Sequence, residues 1–287
     1  MAVDLQPAVL VGLIGAGIQA SRAPALHERE GVEQGIRYVY KLIDLDRLAT
    51  LGQDALPELL TAAERLGFAG LNITHPCKQS ILPLLTDLSE DARELGAVNT
   101  VLFRDGNRRV GHNTDWWGFA ESFRRGLPGA RLNRVVQIGA GGGGAAVAYA
   151  ALMLGVQRLS IFDLDTTRAR DVASRLSVRF GQGTAVTCAD MTEAMAEADG
   201  LIHATPTGMA KYPGLVLPEQ LLHPALWVAE IVYFPLETEL LRAAKRLGCR
   251  TLDGGGMAVF QAVEAFRLFT GRQANVERML RHFAAIS

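Results

Sequence analysis

From Val135 the chain runs Val-Val-Gln-Ile straight into Gly139-Ala140-Gly141-Gly142-Gly143-Gly144, then into an alanine-rich stretch that reaches Leu154. The pattern predicts a strand over Val135–Ile138, a tight turn, and a helix over Gly143–Leu154. Gly139, Gly141 and Gly144 fit G-x-G-x-x-G. In that pattern the first glycine permits the turn, the second lets a pyrophosphate approach the backbone, and the third lets helix pack on strand. The helix N-terminus adds free N–H groups and a positive dipole end. The bare pattern is weak evidence, but an acid strengthens it: Asp163 follows the expected strand Leu159–Phe162. A carboxylate there accepts the ribose hydroxyls of NAD and repels the 2′-phosphate of NADP. NAD is therefore the expected cofactor, with Gly139, Ala140, Gly141, Gly142, Gly143, Gly144 and Asp163 holding it. The competing role for Asp163 is to cap a helix beginning near Thr166, and Arg168 is near enough to reach a 2′-phosphate. Gly15-Ala16-Gly17 also follows an apolar run, but Ala20 stands where a third glycine would be. Ser21-Arg22 follows, so this segment is expected to be a substrate loop.

The rest of the chain alternates apolar runs with amphipathic stretches, which suggests βα units and parallel sheets. Strands are expected at Val9–Ile14, Tyr38–Leu45, Gly70–Thr74, Ala185–Ala189, Gly200–Ala204 and Trp227–Val232. A hairpin is expected around Arg104-Asp105-Gly106-Asn107. Helices are expected after Pro24, over Asp54–Leu66, near Pro76, and over Asp115–Leu127, Thr167–Phe180 and Thr238–Leu247. Gly254-Gly255-Gly256 is read as punctuation before two last helices, Met257–Thr270 and Asn275–Ile286. The expected fold is α/β with two α/β domains. The N-terminal substrate domain, with a mixed, mostly parallel sheet, takes residues 1–112 and 257–287. A Rossmann-type doubly wound NAD domain takes 113–256.

With 49% hydrophobic and 21% charged residues the chain can bury a core, which argues against disorder. A net charge of −1 gives no reason to expect nucleic acid or an anionic membrane as partner. The N-terminal MAVDLQPAVLVGLIG carries an acid and no basic region, and reads as a lead into a strand, not as a signal peptide. Cys77, Cys188 and Cys249 are odd in number and far apart. Neither a disulfide framework nor a metal site is expected, and a cytoplasmic location is.

Two segments concentrate polar groups at strand-to-helix junctions: Leu71-Asn72-Ile73-Thr74-His75-Pro76-Cys77-Lys78 and Gly111-His112-Asn113-Thr114-Asp115. An alcohol dehydrogenase without a metal ligand set needs a proton acceptor for the hydroxyl, and a lysine with an aspartate can serve. The chain has only four lysines, so Lys78 stands out. The plain readings are a surface lysine opening a helix for Lys78, and an N-cap for Asp115. His27, His112 and His203 read as packed or satisfied histidines.

Along nearly its whole length the chain resembles the shikimate/quinate dehydrogenase family. Ser21-Arg22-Ala23-Pro24 resembles the family's Ser-x-Ser/Thr-Pro loop, and Asn72–Lys78 its N-V-T-x-P-x-K motif. Gly96–Thr100 and Asn113–Asp115 match two further signatures. Ala204–Met209 resembles its nicotinamide-side loop, and Asp253–Met257 with Gln261-Ala262 its last block. The resemblance implies that Lys78 exchanges the hydroxyl proton and that Asp115 hydrogen-bonds the substrate and orients Lys78. It implies that Asn99 and Gln261 hold other ring hydroxyls, while Ser21 and Thr74, with Tyr233, bind the carboxylate end. It places Thr205, Met209, Val232 and Gly255 on the nicotinamide side. The implied partner is a small molecule, a shikimate-like cyclohexene carboxylate, handled by a monomer or homodimer.

Three departures matter. Ala23 stands where the family has Ser or Thr, which removes a hydroxyl donor. A hydrogen bond to a charged group is worth about 1.5–3 kcal/mol, so affinity for the acid is expected to fall roughly ten- to hundred-fold unless adjacent Arg22 substitutes. Quinate-using relatives tend to carry Thr in this loop, which favours shikimate over quinate or an aminoshikimate. Asp163-Leu164-Asp165 replaces the Asn-Arg-Thr of biosynthetic members, which supports NAD. NAD favours oxidation, and so a catabolic or specialised role in place of the shikimate pathway of aromatic amino acid biosynthesis. Glu230 replaces an Asp and reads as a structural change. The remaining alternatives are a non-catalytic NAD-binding sensor and a tetrahydrofolate-type dehydrogenase. The latter shares the domain plan but not Asn113-Thr114-Asp115 and Gln261.

Overall fold

The computed structural model describes residues 8–48 and 52–286, so the expected lead before Ala8 lies outside them. The chain begins β1 (Val9–Gly15), α1 (Ala23–Glu33), β2 (Tyr38–Asp44), α2 (Leu56–Arg65), β3 (Gly70–Ile73), β4 (Asp87–Leu88), α3 (Glu90–Leu95), β5 (Thr100–Arg104) and β6 (Arg108–His112). It continues through α4 (Asp115–Gly126), β7 (Arg134–Ile138), α5 (Gly142–Met153), β8 (Arg158–Phe162), α6 (Thr166–Phe180), β9 (Ala185–Thr187) and α7 (Met191–Ala196). Then come β10 (Gly200–His203), β11 (Trp227–Glu230), α8 (Glu239–Arg246), β12 (Arg250–Leu252), α9 (Gly254–Thr270) and α10 (Val276–Ala285). Two compact units result: Met1–Thr114 with Gln261–Ser287, and Asp115–Phe260. These boundaries fall a few residues later than 112/113 and 256/257. Thr114 is bonded to Asn99, and α9 runs unbroken through the second crossing.

The first unit holds a six-stranded mixed sheet in the order β2-β1-β3-β5-β6-β4. β1 lies parallel to β2 and β3, and the β5–β6 hairpin runs antiparallel to β3. Val9–Ile14 is apolar without alternation because β1 is covered on both faces. On one face Ile14, Leu71, Ile73 and Val101 pack with Leu56 and Leu60 of α2. On the other, Phe266 of α9 stacks on Tyr38 at 5.3 Å between ring centroids. The buried Glu30 carboxylate of α1 takes two hydrogen bonds from Arg278 of α10.

In the second unit all six strands are parallel, in the order β12-β11-β10-β7-β8-β9. The order reverses between β7 and β10, and ligands bind such sheets outside the strand ends at that switch point. The loops after β7 and β10, carrying Gly139–Gly144 and Ala204–Met209, both leave from that point. α5 is buried from Gly144 to Leu152, hence its alanine-rich composition. Among the described residues no helix is long and apolar enough to cross a membrane.

Two expectations need correction. No α-helix begins at Pro76: residues 75–81 form turns, and a short 3-10 turn follows at Leu82–Leu84. Pro83 lacks the N–H that an α-helix would direct to the Gln79 carbonyl, and its ring would collide there. Gly254-Gly255-Gly256 does not punctuate the chain but is the first turn of α9. A Cβ at Gly256 would overlap Ser122 of α4, so lacking side chains lets this helix end sit close to its neighbours. The chain also forms β4, α3, α7 and β12, each of two to six residues and not expected from the sequence.

Candidate active site

The glycine turn of the second unit is built by close approach. Gly139 has φ +106°, a conformation that L side chains avoid, and a Cβ there would overlap the Ala204 carbonyl at the head of the β10 loop. A Cβ at Gly144 would overlap the Gly139 carbonyl oxygen, so the third glycine lets the helix close on the strand. Gly141 differs: apart from its own chain neighbours, no described atom lies within 4 Å of the place a Cβ would take, leaving its backbone open to a ligand. Gly141 precedes α5, whose first turn is Gly142 and Gly143. Buried Gln137 pins the turn from below, its side-chain N–H groups donating to the Gly139 and Gly144 carbonyls at 2.8 Å each. No motif marked this glutamine in the sequence.

Asp163 ends β8 and closes the turn. Its carboxylate accepts from Ala140 N at 2.7 Å and from Asp165 N at 2.9 Å. The cap of α6 is Asp165, which accepts from the backbone of Thr167 and Arg168, so Asp163 is not needed for it. Arg168 approaches both acids, 3.9 Å from Asp163 and 3.6 Å from Asp165. A glycine cradle with one open backbone position, a helix N-terminus behind it and a carboxylate at the neighbouring strand end fit a dinucleotide.

Of the residues expected on the nicotinamide side, Thr205 and Val232 each lie two residues past the ends of β10 and β11 and share one polar network. Thr205 Oγ1 lies 2.6 Å from His203 Nε2, and Val232 N donates to Glu230 at 3.0 Å. Met209 is 40% exposed in the β10 loop and Tyr233 42% exposed beyond β11. Gly255 N donates to Asp253 at 2.9 Å in the first turn of α9.

In the first unit the loop after β1 and the turn after β3 lie against each other. Ala16 N donates to the His75 carbonyl at 3.0 Å, and a Cβ on Gly15 would overlap Thr74. This brings the segment bearing Ser21 toward Thr74. Ser21 Oγ accepts from Ala23 N at 3.3 Å, which keeps its own proton for donation. Arg22, the substitute donor considered for Ala23, sets its guanidinium over the Phe283 ring at 5.5 Å. Asp44 at the end of β2 secures the loop by accepting from Gly17 N and Gln19 Nε2, both at 2.9 Å. Burial pushes the Asp44 carboxyl up, but these bonds and those from the Asp46 and Ile18 backbone outweigh it and hold it below its ordinary value.

Lys78 is partly buried in the turn after β3, and its carbonyl accepts from Val98 N at 2.8 Å, next to Asn99. Asn99 is buried; its Oδ1 accepts from Thr114 N at 2.8 Å and its Nδ2 donates to Thr114 Oγ1 at 2.9 Å. Asn72 serves structure: its Oδ1 accepts from Tyr40 and its Nδ2 bonds Thr100 Oγ1 and the Asn99 carbonyl. The side chains of Tyr40, Asn72, Thr100, Asn99 and Thr114 thus form one chain of bonds across β2, β3 and β5. Gln261 is partly buried on α9. Asp115, buried, follows Thr114 directly as the first residue of α4 and of the second unit. Burial pushes the Cys77 thiol up to about 11, which removes it as a nucleophile at neutral pH.

The parallel sheet, the cradle at its switch point and the acid at the next strand end define a Rossmann-type α/β protein of the dinucleotide-binding class. Residues 13–101 match the model of the shikimate dehydrogenase substrate binding domain, and residues 254–282 that of the shikimate 5′-dehydrogenase C-terminal domain. The chain is 59% identical to a shikimate dehydrogenase (NADP(+)) of Streptomyces avermitilis, over 98% of this chain and 97% of that protein. It is 49% identical to a quinate/shikimate dehydrogenase (NAD(+)) of Corynebacterium glutamicum strain R, over 98% of this chain and 100% of the other. Among solved structures it superposes on quinate dehydrogenase from Corynebacterium glutamicum in complex with NAD, with a TM-score of 0.91 and 50% identity, covering 97% of this chain and 99% of that one. The chain belongs to the shikimate/quinate dehydrogenase family.

Proposed function

We propose that this chain is an NAD-dependent dehydrogenase that interconverts shikimate and 3-dehydroshikimate. One observation carries the proposal: the Gly139–Gly144 cradle is closed by Asp163, in a chain similar over its whole length to proteins named for this reaction. The bound dinucleotide supplies the hydride-accepting carbon. The unit Asp115–Phe260 holds it, with Thr205, Met209, Val232 and Gly255 on the nicotinamide side. The unit Met1–Thr114 with Gln261–Ser287 holds the acid. Ser21 and Thr74, with Tyr233, bind its carboxylate, and Asn99 and Gln261 bind ring hydroxyls. In oxidation the reacting O–H gives its proton to Lys78 Nζ, and Asp115 holds that hydroxyl and orients the lysine. In reduction the same proton returns.

NAD is proposed over NADP because Asp163 stands at the end of β8 with a second acid, Asp165, two residues on. A 2′-phosphate beside these carboxylates meets like charge. A cytoplasmic location and a monomeric or homodimeric state belong to the same proposal. Quinate is the second reading, favoured by the similarity to a quinate dehydrogenase. Ala23 argues for shikimate, because a third hydroxyl is missing from the carboxylate loop. Initial rates of NADH formation with shikimate, quinate and aminoshikimate test the choice. The expected order is shikimate first; a higher kcat/KM for quinate replaces the first reading with the second, and no turnover of any of the three rejects both.

A further inference from the structure

β10 and β11 end in register on His203 and Glu230, each 1% exposed. His203 Nδ1 lies 2.8 Å from Glu230 Oε2 and 3.0 Å from Oε1. The same carboxylate accepts from Val232 N at 3.0 Å and from Thr238 Oγ1 at 3.2 Å. Thr238 in turn caps α8 by accepting from Leu241 N. On the far side His203 Nε2 meets Thr205 Oγ1 at 2.6 Å, and Thr205 Oγ1 accepts from Thr207 N at 3.3 Å. Gly208 reaches back to this cluster: with φ +90°, a Cβ there would lie 3.2 Å from Thr238. One buried carboxylate therefore ties the loop after β10, the loop after β11 and the N-terminus of α8 into a single polar unit.

The chemistry of the cluster gives each atom a role. A carboxylate is acceptor-only, so Nδ1 of His203 must donate. With Nδ1–H committed to the carboxylate, Nε2 is left facing the Thr205 hydroxyl and shares a hydrogen bond with it. Thr205 is thereby fixed in rotamer. Neither His203 nor Glu230 reaches the surface, so neither touches a ligand directly.

We infer that His203 and Glu230 are positioning residues that hold Thr205 and Val232, and with them the nicotinamide-side wall, in the geometry that receives the nicotinamide half of the dinucleotide. This rests on the proposed dehydrogenase function and deepens it. The adenosine and pyrophosphate half is held elsewhere, by the Gly139–Gly144 turn and Asp163, whose hydrogen bonds do not pass through His203 or Glu230. The two halves of the ligand should therefore respond separately.

The test compares dissociation constants for NAD and for ADP-ribose, which lacks the nicotinamide, by calorimetry on the full chain. Glu230→Gln keeps the shape of the side chain but turns an N–H group toward a donor. His203→Asn keeps an N–H group for Glu230 but leaves the Thr205 hydroxyl without its partner, and decides the matter if the first variant does not fold. In each folded variant we expect the NAD constant to rise about tenfold or more, as loss of one or two such bonds implies. The ADP-ribose constant should stay within about twofold, a split that general loosening of the fold would not produce. Equal weakening of both ligands, or unchanged NAD binding in a folded variant, overturns the inference. Wild-type protein that binds neither ligand rejects the dehydrogenase reading itself, whereas wild-type binding of both with no split in the variants rejects only the positioning role.

Discussion

The two units build their sites from different materials. In Asp115–Phe260 the cradle is mostly backbone: three glycines, a helix N-terminus and two carbonyls pinned by Gln137, with Asp163 as the main polar side chain. In the unit that begins at Met1 the candidate site is side chains held by other side chains, from Tyr40 through Asn72 and Thr100 to Asn99 and Thr114. A backbone site depends on space and has little to titrate. A side-chain site depends on the chemical state and pairing of buried polar groups, each costly to leave unsatisfied. The contrast says where each kind of damage should appear.

The largest expected effect lies on the side-chain site. Lys78→Ala should lower kcat by about 10²–10⁴-fold, the usual range for loss of a positioned acid or base, with the dissociation constant for NAD unchanged. Steady-state rates beside calorimetry check this; a kcat within a fewfold of wild type removes Lys78 from the mechanism. On the backbone site, Gly144→Ala and Gly141→Ala should part company. The added methyl meets the Gly139 carbonyl in the first and open space in the second. Gly144→Ala should lose dinucleotide binding and about 1–3 kcal/mol of stability to overpacking. Gly141→Ala should melt like wild type and bind NAD roughly tenfold more weakly, by blocking the phosphate approach. A lower melting temperature for Gly141→Ala than for Gly144→Ala would contradict this assignment of roles.

The smallest effect concerns pH. His27 is buried against Tyr38, Tyr40 and Phe266, and burial lowers its pKa from 6.5 to about 3. Between those values the unfolded chain binds a proton that the folded chain refuses, so this group erodes stability as pH falls through the window. The slope is at most about 1.4 kcal/mol per pH unit. Urea denaturation at pH 7 and pH 5 should show a flatter dependence for His27→Phe than for wild type. Identical slopes would mean that the ring is not held neutral.

What could be read from the sequence follows the same division. A backbone cradle leaves a local signature, because glycine is required at fixed spacing, so the turn, the strand before it and Asp163 could be found within about thirty residues. Lys78 and Asp115 stand out at polar strand-to-helix junctions, but only the resemblance separates them from a surface lysine and a helix cap. Gln137, Asp44 and Glu230 carry no such signal. Each works through partners two to twenty-seven residues away, brought near by sheet pairing that the sequence does not spell out. β4, α3, α7 and β12 are too short for periodicity to register, and the helix expected at Pro76 does not form because Pro83 follows within two turns. The three glycines before Met257 carry the pattern of punctuation, because glycine usually breaks helices, whereas here they let α9 start against Ser122.

The most direct measurement is the ratio of kcat/KM for NAD to that for NADP, with shikimate as the saturating substrate. Asp163 at the end of β8, backed by Asp165, predicts a ratio in favour of NAD of roughly tenfold or more, the worth of about 1.4 kcal/mol of like-charge repulsion. Equal use of the two, or a preference for NADP as in the name of the Streptomyces avermitilis relative, would contradict it.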